Sequence, residues 1–282
     1  MGILRNLQLL NSEHLKSSRK QLIHILVYLV LSLFVARNLL TREGVIGLRH
    51  DWNIPPFSEQ LQQAFTGHLF AWSTRSLGTG YKMVGVPFTE LLFNFASFLG
   101  LTGYVQSKLL LIIVLLLPGI SGWYLARTLG LKDTASLLSG ICYMLTPLLF
   151  VKIVAGFVNY LISYAIQPVI LALFAKSVQS NKINYKSVII TGILYAFSWY
   201  QPQFEIMMGI WLSSWVLFFG RRASFKLYIK SLMLVLLIAA LINLTAIYSI
   251  IDVFLSGQNG IVVAPTEFGL IYASRRWPLL DT

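Results

Sequence analysis

Charge is scarce in this 282-residue chain: Asp, Glu, Lys and Arg make up 11% of it, against about 25% in a soluble globular domain. That scarcity excludes an ordinary water-soluble fold. With 56% hydrophobic residues the chain is no disordered polymer either, since low hydrophobicity and high charge are what keep a chain unfolded. Acid is rarer still, with 10 Asp+Glu against 22 Lys+Arg and a net charge of +12. Cysteine is almost absent: Cys142 stands alone in an apolar run, so no intrachain disulfide can form. His14, His24, His50 and His68 are isolated from one another, which excludes a Cys/His zinc cluster and leaves oxygen ligands for any metal. G-x-x-x-x-G-K-[ST], G-x-S-x-G and H-E-x-x-H are all missing, and with them the support for nucleotide hydrolysis, a nucleophile-elbow hydrolase or a zincin.

Apolar residues arrive in runs. A bilayer core about 30 Å thick takes about 20 of them in a helix. Seven stretches qualify: 21–40, Leu109–Ala126, Ala135–Val151, Tyr160–Phe174, Val188–Tyr200, Ile206–Phe219 and Ser231–Leu255. The expected fold is an all-α, polytopic transmembrane bundle of about seven spans. It comprises a tail over 1–20, a membrane domain over 21–256 and a second tail over 257–282. The first span has a long charged lead-in and no A-x-A site, so it reads as a retained anchor and not a cleaved signal.

Basic residues crowd cytoplasmic loops. With the N-terminus inside, Arg5, Lys16, Arg19 and Lys20, then Arg127 and Lys132, then Lys176, Lys182 and Lys186, and then Arg221, Arg222, Lys226 and Lys230 all share that face, 13 of the 22. The positive excess is therefore a topological address in a multi-pass cell-membrane protein, and no nucleic-acid partner is needed to explain it. The segment 41–108 and the C-terminal tail then face outside.

That first outer loop holds four of the ten acids, Glu43, Asp51, Glu59 and Glu90. Asp51 lies in Arg49-His50-Asp51-Trp52-Asn53-Ile54-Pro55-Pro56, where consecutive prolines forbid helix and stiffen the chain. The plain reading is an outer loop of solvated charges, since most loop carboxylates are not catalytic; the sharper one is that Arg49 beside it favours the ionised carboxylate, which suits a general base or a metal ligand at the membrane surface. Ser58 fits an N-cap. Leu61, Phe65, Leu69 and Trp72 follow at helical spacing, an amphipathic interfacial helix, and Phe88–Leu99 is a second.

Other polar residues gather toward the same face. Lys152 ends the third span, where it either snorkels or binds a lipid phosphate. Asn159 follows in the re-entering turn. Gln201 and Glu205 sit in the hairpin before the sixth span, and Glu205 reads as a helix N-terminal acid or as a partner of Asp51. Arg275 and Arg276 lie in the tail.

Taken together, Arg49-His50-Asp51-Trp52 after span one, interfacial helices, Gly122-Trp123-Tyr124-Leu125-Ala126-Arg127, Tyr143-Met144-Leu145-Thr146-Pro147, Gly156-Phe157-Val158-Asn159 and Gln167-Pro168 resemble the GT-C superfamily. These are integral-membrane glycosyltransferases using polyprenyl-phosphate sugars, and the likeness is to the mannosyl-, arabinofuranosyl- and oligosaccharyl-transferase-like members over about residues 20–220. Where such members often read G-H-x-N, this chain carries Phe157. The resemblance implies transfer from a polyprenyl-phosphate-linked sugar to a glycan, lipid or protein acceptor. It makes Asp51 the catalytic base or metal ligand, with Glu205 as a second ligand of a divalent Mg or Mn. If the chain transfers a sugar in this way, Arg49, His50, Trp52, Lys152, Asn159, Gln201, Glu205, Arg275 and Arg276 are the residues expected to bind substrate. It also implies more spans and a soluble domain, so the chain is expected to be an N-terminal piece. Rival expectations are a transporter or flippase of a lipid-linked or small polar substrate, and a non-catalytic assembly subunit.

Overall fold

The computed structural model describes residues 2–46, 54, 56–60, 95–178, 182–198, 202–219, 225–244 and 247. Among them every long element is a helix and no strand occurs: α1 (Gly2–Leu40), α2 (Gly103–Thr128), α3 (Asp133–Met144), α4 (Pro147–Ala155), α5 (Val158–Ser177), α6 (Tyr185–Phe197), α7 (Pro202–Phe219) and α8 (Phe225–Ile242). Each of the seven expected stretches falls mainly on helix where it is described, the third being interrupted at residues 145–146. Five are long and apolar enough to cross a membrane: Lys20–Leu40, Gly103–Thr128, Asp133–Ala155, Val158–Ser177 and Phe225–Ile242. Helix α6, at 13 residues, covers about 20 Å, and α7 opens on Pro202, Gln203 and Glu205.

The third span is broken, where the sequence reading has one continuous helix from Ala135 to Val151. Proline disfavours helical backbone in the residue before it, and Thr146 accordingly sits at φ −66°, ψ 136°, after which Pro147 starts α4 afresh. Gly156 closes α4 in the left-handed region at φ 80°, which L-residues enter only at a cost, and the chain turns directly into α5.

Two prolines leave two carbonyls without their helical donor. Pro147 lacks the N–H that would reach Tyr143, and Pro168, inside α5, lacks the one that would reach Tyr164. These carbonyls serve each other's side chains. The Tyr143 hydroxyl donates to the Tyr164 carbonyl at 2.9 Å, and the Tyr164 hydroxyl donates to the Tyr143 carbonyl at 3.0 Å. The rings stack at 4.3 Å, 7° from parallel. In hydrocarbon, where no water substitutes, such internal satisfaction is required.

Packing divides into two clusters. Tyr28, Val114, Leu115, Met144, Leu149 and Leu161 centre the first, built on α1–α4 and the start of α5. Ile170, Phe174, Met208, Leu212, Tyr228 and Val235 centre the second, from the rest of α5 with α6–α8. Glycines permit the close approaches that bind membrane helices without a hydrophobic driving force between them. A Cβ on Gly140 would collide with the Tyr28 hydroxyl and the Gly119 carbonyl, and one on Gly192 would lie 2.8 Å from Ile238.

The helix directions give the bundle two distinct ends. Lys20, the α2–α3 turn and Lys176 lie at one, called here the basic end. The α4–α5 hairpin lies at the other, the hairpin end, about 30 Å away by the length of α5.

Candidate functional site at the hairpin end

Lys152 is in the last turn of α4 and half-buried. Its position four residues before Gly156 turns it back over the hairpin, where the ammonium lies 4.5 Å from the Phe157 ring centroid and 4.6 Å from that of Tyr160. Ring faces attract a cation through their quadrupole, so the two aromatics hold the lysine in place without cancelling its charge. Phe157 thus supplies an aromatic face to Lys152.

The cluster extends to α7. Tyr160 meets Phe204 edge-on at 4.5 Å, and Phe204 is buried. The next residue, Glu205, is half-buried in the first turn of α7, and its backbone carbonyl accepts from the Tyr195 hydroxyl of α6 at 3.1 Å. Asn159 is half-buried in the first turn of α5, between Phe157 and Tyr160. Of the expected site residues, Lys152, Asn159 and Glu205 are thus gathered at one end through Phe157, Tyr160 and Phe204.

The start of the expected outer loop is fastened to the same end. Ile46 donates its N–H to Ser107 Oγ at 3.2 Å, Lys108 donates to the Arg42 carbonyl at 2.8 Å, and Gly103 donates to the Pro56 carbonyl at 2.9 Å. Ile46 and Ile54 are both buried in the first cluster. Arg49, His50, Asp51 and Trp52, together with Gln201, Arg275 and Arg276, lie outside the described residues, as does the expected amphipathic helix beyond Gln60. Of the second interfacial segment, residues 95–98 are helical.

Among the described residues no three of His, Cys, Asp and Glu come together. Asp51, the expected partner of Glu205 in holding a divalent metal, lies outside them.

Sequence reasoning used Arg127 for topology and as part of the Gly122–Arg127 motif and Lys176 for topology alone, and it passed over what surrounds them. Lys176 donates to the Tyr124 hydroxyl at 2.9 Å, its ammonium 4.3 Å from that ring's centroid. The signal was present in Trp123-Tyr124 and Arg127, one helical turn apart. Comparison with family models, curated proteins and solved structures finds no match to the chain.

Proposed function

We propose that the protein is a membrane glycosyltransferase whose hairpin end faces outside the cell and which moves a sugar from a polyprenyl-phosphate donor to an acceptor at that face. The observation that carries this reading is Lys152, half-buried between the Phe157 and Tyr160 rings with its charge uncancelled by them. A sugar leaving a lipid phosphate builds negative charge on the departing oxygen, and a preorganised cation lowers the energy of that state. Aromatic faces beside it suit the apolar face of a sugar ring. In the sequence Asp51 falls between Ile46 and Ile54, both buried at this end, and on this reading it is the base that takes the acceptor's hydroxyl proton.

The test is transfer from a synthetic polyprenyl-phosphate sugar in proteoliposomes. Asp51→Asn, inserted and as heat-stable as the wild type, is expected to lose turnover, and retained turnover would sink the reading.

The broken third span favours transport as the second reading, because transporters use broken helices whose unwound carbonyls hold substrate ions. Here the carbonyls that Pro147 and Pro168 release already accept from Tyr164 and Tyr143, which weighs against an ion site at the break.

A further inference from the structure

At the basic end a cavity of about 340 Å³ is lined by Gln21 of α1, Trp123, Tyr124, Arg127 and Thr128 of α2, and Lys176 of α5. We propose that it binds the phosphate group of an anionic lipid headgroup. The site is separate from the one at the hairpin end and does not depend on glycosyl transfer.

Its donors outnumber its acceptors. Asp133 takes both Lys20, at 3.3 Å, and Arg127, so one carboxylate is shared by two cations, and Lys176 adds a third charge. A guanidinium has five N–H donors in a fork that fits phosphate oxygens, and an ammonium has three. The Tyr124 oxygen accepts from Lys176, which leaves its own proton for a ligand. Trp123 is the second, independent pointer. It is 8% exposed and its indole Nε1–H has no acceptor among the described residues. Buried indole N–H groups almost always have one, and Trp123 lines this cavity. A phosphate offers acceptors to Lys176, Arg127 and Tyr124 together, and the Trp123 N–H, enclosed in the same wall, gains one if its ring turns toward the ligand.

The main opposing effect is the helix dipole. The C-termini of α2 and α5 meet here, each equivalent to about half a negative charge. Carbonyls in the last turn of α2 are already engaged, Leu125 by Leu129 N at 2.9 Å and Ala126 by Leu131 N at 3.0 Å, which blunts that field. Lys20, Arg127 and Lys176 set against the single carboxylate of Asp133 leave a net charge of about +2 beside the cavity, which exceeds the remainder. The shape also favours a lipid over free phosphate, because Gln21 is followed on α1 by Leu22, Ile23 and Leu26, exposed by 67%, 50% and 56%. Acyl chains can lie along that strip while the headgroup turns into the cavity. In the N-terminus-inside orientation this end meets the anionic leaflet, where interhelical basic pockets take lipid headgroups.

The test is native mass spectrometry of the full chain in detergent, titrated with phosphatidylglycerol or with phosphatidylcholine, and with inorganic phosphate as competitor. One phosphatidylglycerol per chain is expected to bind saturably and in preference to phosphatidylcholine. Lys176→Met is expected to weaken it about tenfold, the usual effect of deleting one charged hydrogen bond. Trp123→Phe, which keeps the ring and removes the N–H, is expected to weaken it several-fold. Lys186→Met removes the same charge elsewhere on this face and should change nothing. Inorganic phosphate that binds as tightly as the lipid, with the same Lys176→Met sensitivity, would support the phosphate site and assign its occupant to a soluble ester. The proposal is overturned by absence of headgroup preference together with no phosphate binding, or by equal losses in Lys176→Met and Lys186→Met. Thermal midpoints measured without lipid separate lost binding from lost folding.

Discussion

The two ends of the bundle hold their cations differently. At the hairpin end Lys152 lies between two aromatic rings on a re-entrant turn. At the basic end Lys20 and Arg127 converge on Asp133 in exposed ion pairs, while Lys176 stands over Tyr124 beside a cavity. A carboxylate fixes a cation and consumes its charge, whereas an aromatic face fixes it and leaves the charge usable. The difference marks Lys152 and Lys176 as the lysines poised for anions, and Lys20 as one engaged in holding α1 to α3.

The largest effect expected from breaking this contrast is at Lys152. Lys152→Met keeps the stem that packs the hairpin and removes the charge. Transfer should fall by about 10²–10³-fold, the scale on which a transition-state electrostatic donor is missed, with the thermal midpoint in detergent little changed. Lys152→Arg, whose guanidinium also stacks on aromatic rings, should recover part of the rate. A Met variant as active as the wild type would leave the hairpin end with no more than a snorkelling lysine. Next in size is Gly140→Ala, which disturbs the packing on which both ends rest. The added methyl meets the Gly119 backbone carbonyl as well as the Tyr28 ring, and backbone cannot step aside as a side chain can. Overpacking of this kind costs about 1–3 kcal/mol, readable as a lowered unfolding midpoint.

How far each end could be read from sequence follows the range of the interactions involved. Apolar run length is a local property, so the helices and the all-α bundle were legible, and alternating helix direction was enough to put Lys152, Asn159 and Glu205 at one end. The break at Thr146–Pro147 was also written locally, in the proline, yet a run that stays apolar on both sides conceals it. What sequence could not show is pairing across helices. Nothing local says that Tyr143 and Tyr164 exchange hydroxyls and carbonyls, or that Phe157 presents its face to Lys152. Trp123, Arg127 and Lys176 form one cavity wall only because α2 packs on α5. Positive charge counted for topology is also what an anion site would use, so the two readings draw on the same residues.

The reciprocal tyrosine pair gives a smaller, sharper test of the region joining the two ends. Tyr143→Phe keeps the stacked ring and strips the donor from the Tyr164 carbonyl, which Pro168 has already deprived of its helical partner. The expected loss is about 1–2 kcal/mol, the cost of an unsatisfied buried acceptor. Tyr164→Phe should match it, and the double variant should fall short of the sum if the two bonds support each other through one stacked pair. Full additivity would mean that each hydroxyl acts alone.

The smallest effect belongs to the ion pairs of the basic end. The hydrogen bond from Lys20 and the neighbouring Arg127 guanidinium hold the Asp133 carboxyl below the usual aspartate range. Asp133 opens α3 ahead of its apolar run and is exposed to water. A carboxyl whose folded pKa is depressed stabilises the fold above its unfolded pKa, about 3.9, and that contribution disappears as pH falls through the lower folded value. Asp133→Asn should therefore lower the unfolding midpoint slightly at neutral pH, and the gap between variant and wild type should close under acid. Salt should shrink it as well, because exposed pairs are screened within about 10 Å at 0.1 M. A gap that persisted in acid or grew with salt would show that Asp133 acts through packing, and the contrast between a carboxylate that consumes charge and an aromatic face that preserves it would fail at the residue on which it most depends.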